Sequence, residues 1–196
     1  MNTIMNAEQN EGTVALSLLE GTRIIYINGP IDDNMAYHFN TALLRLEHDD
    51  GEADVVVYIN SPGGSVTAGL SMIDTMNFVS CDVQTICVGM AASMGAMLLM
   101  SGEKGKRKIL PHSLVLIHQP LQNLGNAFRQ ASDLEIAANE MMRTKKTLYK
   151  IIEESTGQDY EKIEKDCDRD YTLTAEEALE YGIVDEIIRS HKNGRK

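Results

Sequence analysis

The sequence predicts an α/β fold on a parallel sheet. Short β-branched apolar runs alternate with segments of helical periodicity, the pattern of βαβ units. Two of these runs pass through glycine- and serine-rich turns directly into helical segments, at residues 60–64 and 89–95. The 196 residues, 43% hydrophobic and 24% charged, suit one domain with a sizeable core.

In chain order, residues 1–12 are polar and read as a flexible arm. Residues 23–27 are short and β-branched, a strand. Asp32 or Asp33 caps a helix running to about Glu47, in which Met35, Phe39, Leu43 and Leu46 share a face. Residues 55–59 form a continuously apolar strand, as expected where both faces are buried. The turn 60–64 opens a helix reaching about Asn77. A third strand at 83–88 leads into a helix at 93–100. The polar, basic stretch 101–108 reads as a hairpin-like excursion, and 114–117 as another buried strand ending at His118-Gln-Pro120. Residues 121–126 read as loop.

A long helical pattern follows, roughly 128–155, with Leu134, Ala138, Met141, Leu148 and Ile152 along one stripe and Lys145 interrupting it. At 1.5 Å per residue it spans about 40 Å, more than a small domain covers, which implies an oligomer. Thr174-Ala-Glu-Glu177 is a capping box whose helix ends near Gly182, and 184–188 is a last strand.

Eighteen Lys and Arg against 29 Asp and Glu give a net charge of −11, which argues against a nucleic-acid partner. Cys81, Cys87 and Cys167 form neither a C-x-x-C pair nor a zinc spacing, so reduced thiols in a cytoplasmic protein are expected. The most apolar window, 86–100, is too short and too interrupted to span a bilayer, and the polar N-terminus has no signal-peptide pattern. No metal or organic cofactor is implied.

The chemistry-bearing segment is Gly89-Met-Ala-Ala-Ser93-Met-Gly95. A strand, a tight turn and a helix would put the Ser93 hydroxyl at a helix N-terminus, among free N–H groups that stabilise anionic acyl-transfer intermediates. The spacing is a relative of G-x-S-x-G with one extra residue before the serine. Gly64, lacking a Cβ, lets its N–H approach a ligand, and with Met94 N–H it can bind an oxyanion. Serine needs a base. Of His38, His48, His112, His118 and His191, only His118 is expected at the same sheet edge. The acid of a triad is not fixed by spacing among 29 candidates; Asp166, Asp168 and Asp170 cluster before the capped helix.

The strings YINSPGGSVTAG at 58–69, QTICVGMAASMG at 84–95, IHQP at 117–120, DRD at 168–170 and LTAEEA at 173–178 resemble the ClpP family of caseinolytic serine peptidases, over roughly residues 18–190. The resemblance implies a crotonase-like α/β spiral with a protruding handle (about 121–156) and an axial N-terminal arm (1–17). It implies Ser93 as nucleophile, His118 as base, Asp170 as orienting acid, and Gly64 and Met94 N–H as oxyanion donors. It further implies ring–ring contacts through Asp168 and Arg169, and an unfoldase docking pocket including Tyr58 and Phe78. The partners implied are polypeptide substrates, an AAA+ unfoldase of ClpX, ClpA or ClpC type, and copies of the chain in two stacked heptameric rings.

The chain departs from that family in three places. The usual G-G-x-x-G-Q-A after the histidine is replaced by LQNLGNAFRQA at 121–131, about three residues longer and keeping only Gly125. The arm retains only a Ser17-Leu18-Leu19 remnant, and Lys108 stands where an apolar or aromatic pocket residue is usual. These departures admit an alternative, a mainly structural or regulatory subunit of a mixed ring with a second ClpP-like chain. An acyl-CoA enzyme of the crotonase fold is the third alternative; it would not require Ser93, His118 and Asp170 together.

Overall fold

The computed structural model describes residues 17–18, 21–121 and 130–189. The expected arm, the altered segment from residue 122 to 129 with the expected helix start at Phe128, and His191 lie outside the described residues.

The sheet begins with β1 (Ser17–Leu18), antiparallel to β2 (Ile24–Asn28). Asp32 Oδ1 accepts from Met35 N–H at 2.8 Å and starts α1 (Asp33–Asp49), which buries Met35, Phe39, Leu43 and Leu46 as the stripe predicts. β3 (Val55–Ser61) lies parallel to β2. Its burial alternates instead of being complete: Val55, Val57 and Ile59 face the core, and Val56, Tyr58 and Asn60 are half-exposed. One face of this sheet is therefore not covered within the chain. Ser65 caps α2 (Val66–Phe78).

β4 (Val83–Ala92) is four residues longer than its apolar run, because its two halves have different partners. Thr85–Cys87 pair with β5 (Arg107–Ile109), whereas Met90–Ala92 pair with β6 (Leu114–Ile117). The change occurs at Gly89, whose φ of +84° few other residues adopt readily. The bend turns the end of β4 away from β5 and sets up α3 (Met94–Met100), every residue of which is buried.

Residues 101–108 do not form a hairpin. They turn back so that β5 runs parallel to β4, with β8 (Glu186–Ile187) parallel to β5 on its other side. A charged residue enters the interior here. Arg107 is 3% exposed and pairs with Asp185 at 2.6 Å, while its Nη1 donates to Ser155 O at 2.8 Å. Desolvation pushes the Asp185 carboxyl up. Hydrogen bonds from the Arg107 side chain and N–H, the guanidinium charge and Gly105 N–H outweigh it and hold the carboxyl below 3.8. Because the folded value is depressed, the stabilisation is complete above the unfolded value and is lost as pH falls through the folded one. Asp185→Asn leaves a buried guanidinium without its counter-charge, which costs about 3–5 kcal/mol. Urea unfolding at pH 7 should show that loss. The gap from wild type should shrink below about pH 3.8.

β6 is less buried than its composition suggests, since Leu114 is 41% exposed. α4 (Ala131–Thr156) follows with 26 residues, about 39 Å long. Its C-terminal half packs on the core through Leu148, Tyr149 and Ile152, whereas Leu134 and Ile136 in its first turns are exposed. Two elements were not expected: α5 (Tyr160–Asp166) and β7 (Tyr171–Leu173), the latter antiparallel to β6. The predicted capping box is formed, Thr174 Oγ1 accepting from Glu177 N–H and Glu177 from Thr174 N–H, and α6 (Ala175–Tyr181) ends at Gly182. Among the described residues no helix is long and apolar enough to cross a membrane.

Candidate active site

Ser93 is the junction between β4 and α3. It has φ +53° and ψ −121°, and no other non-glycine residue among those described has positive φ. Such backbone is disfavoured for a residue with a Cβ and persists only where the surroundings hold it. They do: Ser93 N–H donates to Leu116 O on β6 at 2.8 Å, and Ser93 O accepts from Met97 N–H at 3.1 Å. Both bonds use the backbone. The hydroxyl caps nothing in α3 and has no hydrogen-bond partner among the described residues. The next residue, Met94, occupies the first helical position, where an N–H has no intrahelical acceptor.

The second turn packs directly on this elbow. A Cβ on Gly63 would lie 2.6 Å from Ala92 O and 2.7 Å from Ser93 Cβ. Gly64 is held by a parallel bridge to Ile31: Ile31 N–H donates to Gly63 O, and Ser65 N–H to Ile31 O, each at 2.8 Å. In such a bridge the N–H and C=O of the middle residue point to the opposite side. Gly64 N–H is thus turned away from Ile31, and Gly64 lines the same cavity as Ser93 and Met94. The Gly63 site is sensitive for two reasons, its φ of +89° and the collision described. Gly63→Ala should destabilise the fold by about 1–3 kcal/mol and slow Ser93 phosphonylation at least about tenfold. Thermal melting and the rate of labelling by a fluorophosphonate measure the two; an unchanged labelling rate would count against this packing.

The cavity, about 260 Å³, is lined by Ser93, Met94, Gly64 and His118, with Val66, Met97, Ile117, Leu148, Tyr149 and Ile152 among its apolar walls. His118 follows β6 and is the one candidate histidine that lines it. His38 packs edge-on against Tyr37, His48 lies in the last turn of α1, and His112 is exposed before β6.

His118 Nδ1 lies 2.6 Å from Gln119 O. A carbonyl oxygen only accepts, so Nδ1 carries the proton and Nε2 keeps its lone pair. Gln119 is itself clamped, its N–H donating to Cys167 O at 2.7 Å and its Nε2 to Asp168 O at 2.8 Å. The segment after α5 therefore fixes the imidazole through Gln119.

The three clustered aspartates separate. Asp166 ends α5 and accepts from Lys162 at 2.8 Å and Tyr181 Oη at 3.0 Å, a structural role. It is helical, so the three do not alternate along one strand. Asp168 and Arg169 are exposed. Asp170 is exposed too and is not among the residues lining the cavity, but the ladder aims it: Ile117 pairs with Tyr171, so one further antiparallel step sets His118 opposite Asp170. Tyr58 and Phe78 lie elsewhere. Tyr58 stacks on Tyr26 at 6.0 Å on the half-exposed sheet face, and Phe78, ending α2, is 76% exposed. Lys108 pairs with Glu186 at 3.2 Å, so its charge at that face is compensated.

Clp protease is the family whose model matches the chain, over residues 7–191. The ATP-dependent Clp protease proteolytic subunit 2 of Prochlorococcus marinus (strain NATL2A) is 54% identical over 170 residues, 87% of this chain and 84% of its own length.

Proposed function

The chain belongs to the Clp protease family, a serine peptidase family, and on that premise we propose that Ser93, His118 and Asp170 are its catalytic triad. One observation carries the reading: a strained serine at a helix N-terminus shares a cavity with one histidine and two N–H groups without acceptors.

Ser93 Oγ attacks the scissile carbonyl as His118 Nε2 takes its proton. The oxygen that becomes negative is met by Gly64 N–H and Met94 N–H, donors already in place before the reaction. His118 then returns the proton to the leaving amine, and a water repeats the sequence on the acyl-enzyme. Asp170 stabilises the imidazolium once it closes onto His118. In the isolated chain Gln119 O occupies Nδ1 instead.

That exchange links activity to assembly. Asp168 and Arg169, exposed beside Asp170, together with the exposed first turns of α4, offer the surface for a second ring. Copies of the chain in two stacked heptameric rings, or a mixed ring with a second ClpP-like chain, bury that surface. An AAA+ unfoldase delivers polypeptides by docking at the Tyr58 and Phe78 face. Fluorophosphonate labelling followed by intact-mass analysis tests the reading, with one adduct per wild-type chain expected and none on Ser93→Ala. A folded, assembled wild type that takes no adduct would overturn it.

A further inference from the structure

The inner wall of the Ser93 cavity holds a polar atom that the mechanism does not use. Tyr149, on α4, is 0% exposed and lines the cavity. Its hydroxyl is one of three buried side-chain polar atoms left without a hydrogen-bond partner among the described residues; the others are Asn40 Oδ1 and Ser101 Oγ. Ser101 lines a different cavity, beside Lys104 and Arg107. Tyr149 alone of the three borders the reacting serine.

A buried donor without a partner is costly, and natural structures rarely keep one without a use. Bulk water does not reach Tyr149, since the residue has no exposed surface. The ring is also held from turning aside. It packs edge-on against Tyr160 at 5.8 Å, and Lys145 Nζ, itself paired with Glu164 at 2.8 Å, stands 5.2 Å from its centroid. Burial pushes the phenol's pKa up, and the charges of Cys167 and Glu164 add to that, so the hydroxyl remains a donor across the working range. Around it the walls are hydrocarbon or thioether: Met97, Ile117, Leu148 and Ile152.

We propose that Tyr149 is a specificity-determining residue, its hydroxyl donating a hydrogen bond to the tip of the substrate side chain that precedes the scissile bond. The apolar walls take the stem of that side chain, and the phenol selects an acceptor at its end. The substrate class is thus a polypeptide with an unbranched side chain ending in an acceptor, such as glutamine, at that position. A site with one buried donor in an apolar wall discriminates against a hydrocarbon isostere, because that isostere leaves the donor unpaired.

The test uses the assembled peptidase and two fluorogenic peptides identical except for glutamine or norleucine before the cleaved bond. The ratio of their kcat/KM values, glutamine over norleucine, is measured for wild type and for Tyr149→Phe. Both substrates meet the same preparation, so the fraction of active sites cancels. Loss of a neutral hydrogen bond should lower the ratio about five-fold in Tyr149→Phe. Equal ratios would overturn the inference. So would loss of both activities in equal proportion, which is the mark of a packing or chemical role. The inference rests on Ser93 as the nucleophile: failure of that assignment appears as a wild type without phosphonyl adduct, whereas failure of this one appears as a labelled enzyme with unchanged selectivity.

Discussion

Ser93→Ala is expected to lower kcat for peptide cleavage by a factor on the order of 10⁵–10⁶, leaving the fold and the assembly intact. The size follows from the division of labour at the site. Gly64 N–H and Met94 N–H remain in the variant and still polarise a bound carbonyl, but no atom is left to form the acyl-enzyme, so only slow attack by water persists. The fold survives because what holds the elbow is backbone: Ser93 N–H to Leu116 O and Met97 N–H to Ser93 O. Alanine carries a Cβ as serine does and meets the same penalty at φ +53°. The substitution therefore removes an oxygen and little else. Thermal melting and sedimentation should match wild type, while single-turnover cleavage and fluorophosphonate labelling disappear together. A variant that cleaves at the wild-type rate would remove Ser93 from the chemistry.

Much of this site is legible in the sequence because its determinants are local. Asp32 caps α1, the Thr174 capping box starts α6, and the small residues around Ser93 force a tight strand-to-helix turn. Each is decided within a few residues. What the sequence hides is settled at long range. Arg107 looks like part of a solvated basic loop, yet it is buried, because its partner Asp185 lies 78 positions away. β4 outruns its apolar stretch because Gly89 lets it exchange β5 for β6. α5 buries chiefly Ile163, too little to leave a periodic signal, and β7 is three residues. Tyr149 reads as one more residue of the long helix beside the stripe; only its unpaired hydroxyl and its cavity distinguish it. The choice of Asp170 over its neighbours came from resemblance. The physical reason appears in the register of β6 and β7, which sets it against His118.

That register has a second consequence, at Asp170 itself. Asp170→Asn and Asp170→Ala should both lower kcat about 10–100-fold, far less than Ser93→Ala, and should resemble each other within a few-fold. The acid of a triad does two things: it holds the imidazole in the right tautomer and stabilises the imidazolium that forms. In this chain the first task has another candidate. Gln119 O accepts from His118 Nδ1 at 2.6 Å, and Gln119 is anchored through both its N–H groups to Cys167 and Asp168. With Asp170 removed, the imidazole falls back on that carbonyl and retains a protonated Nδ1. What is lost is the charge: a neutral carbonyl holds imidazolium less strongly than a carboxylate by about the difference between a charge-assisted and a neutral hydrogen bond. Were Asp170 alone responsible for the tautomer, asparagine would be much the worse replacement, because its amide N–H can donate to Nδ1 and leave Nε2 protonated. The ratio of the two variants' kcat values therefore separates the roles. A ratio near one fits the Gln119 clamp. A value for asparagine a hundredfold below alanine would show that the clamp releases His118 in the working enzyme, and wild-type rates in both variants would remove Asp170 from the mechanism.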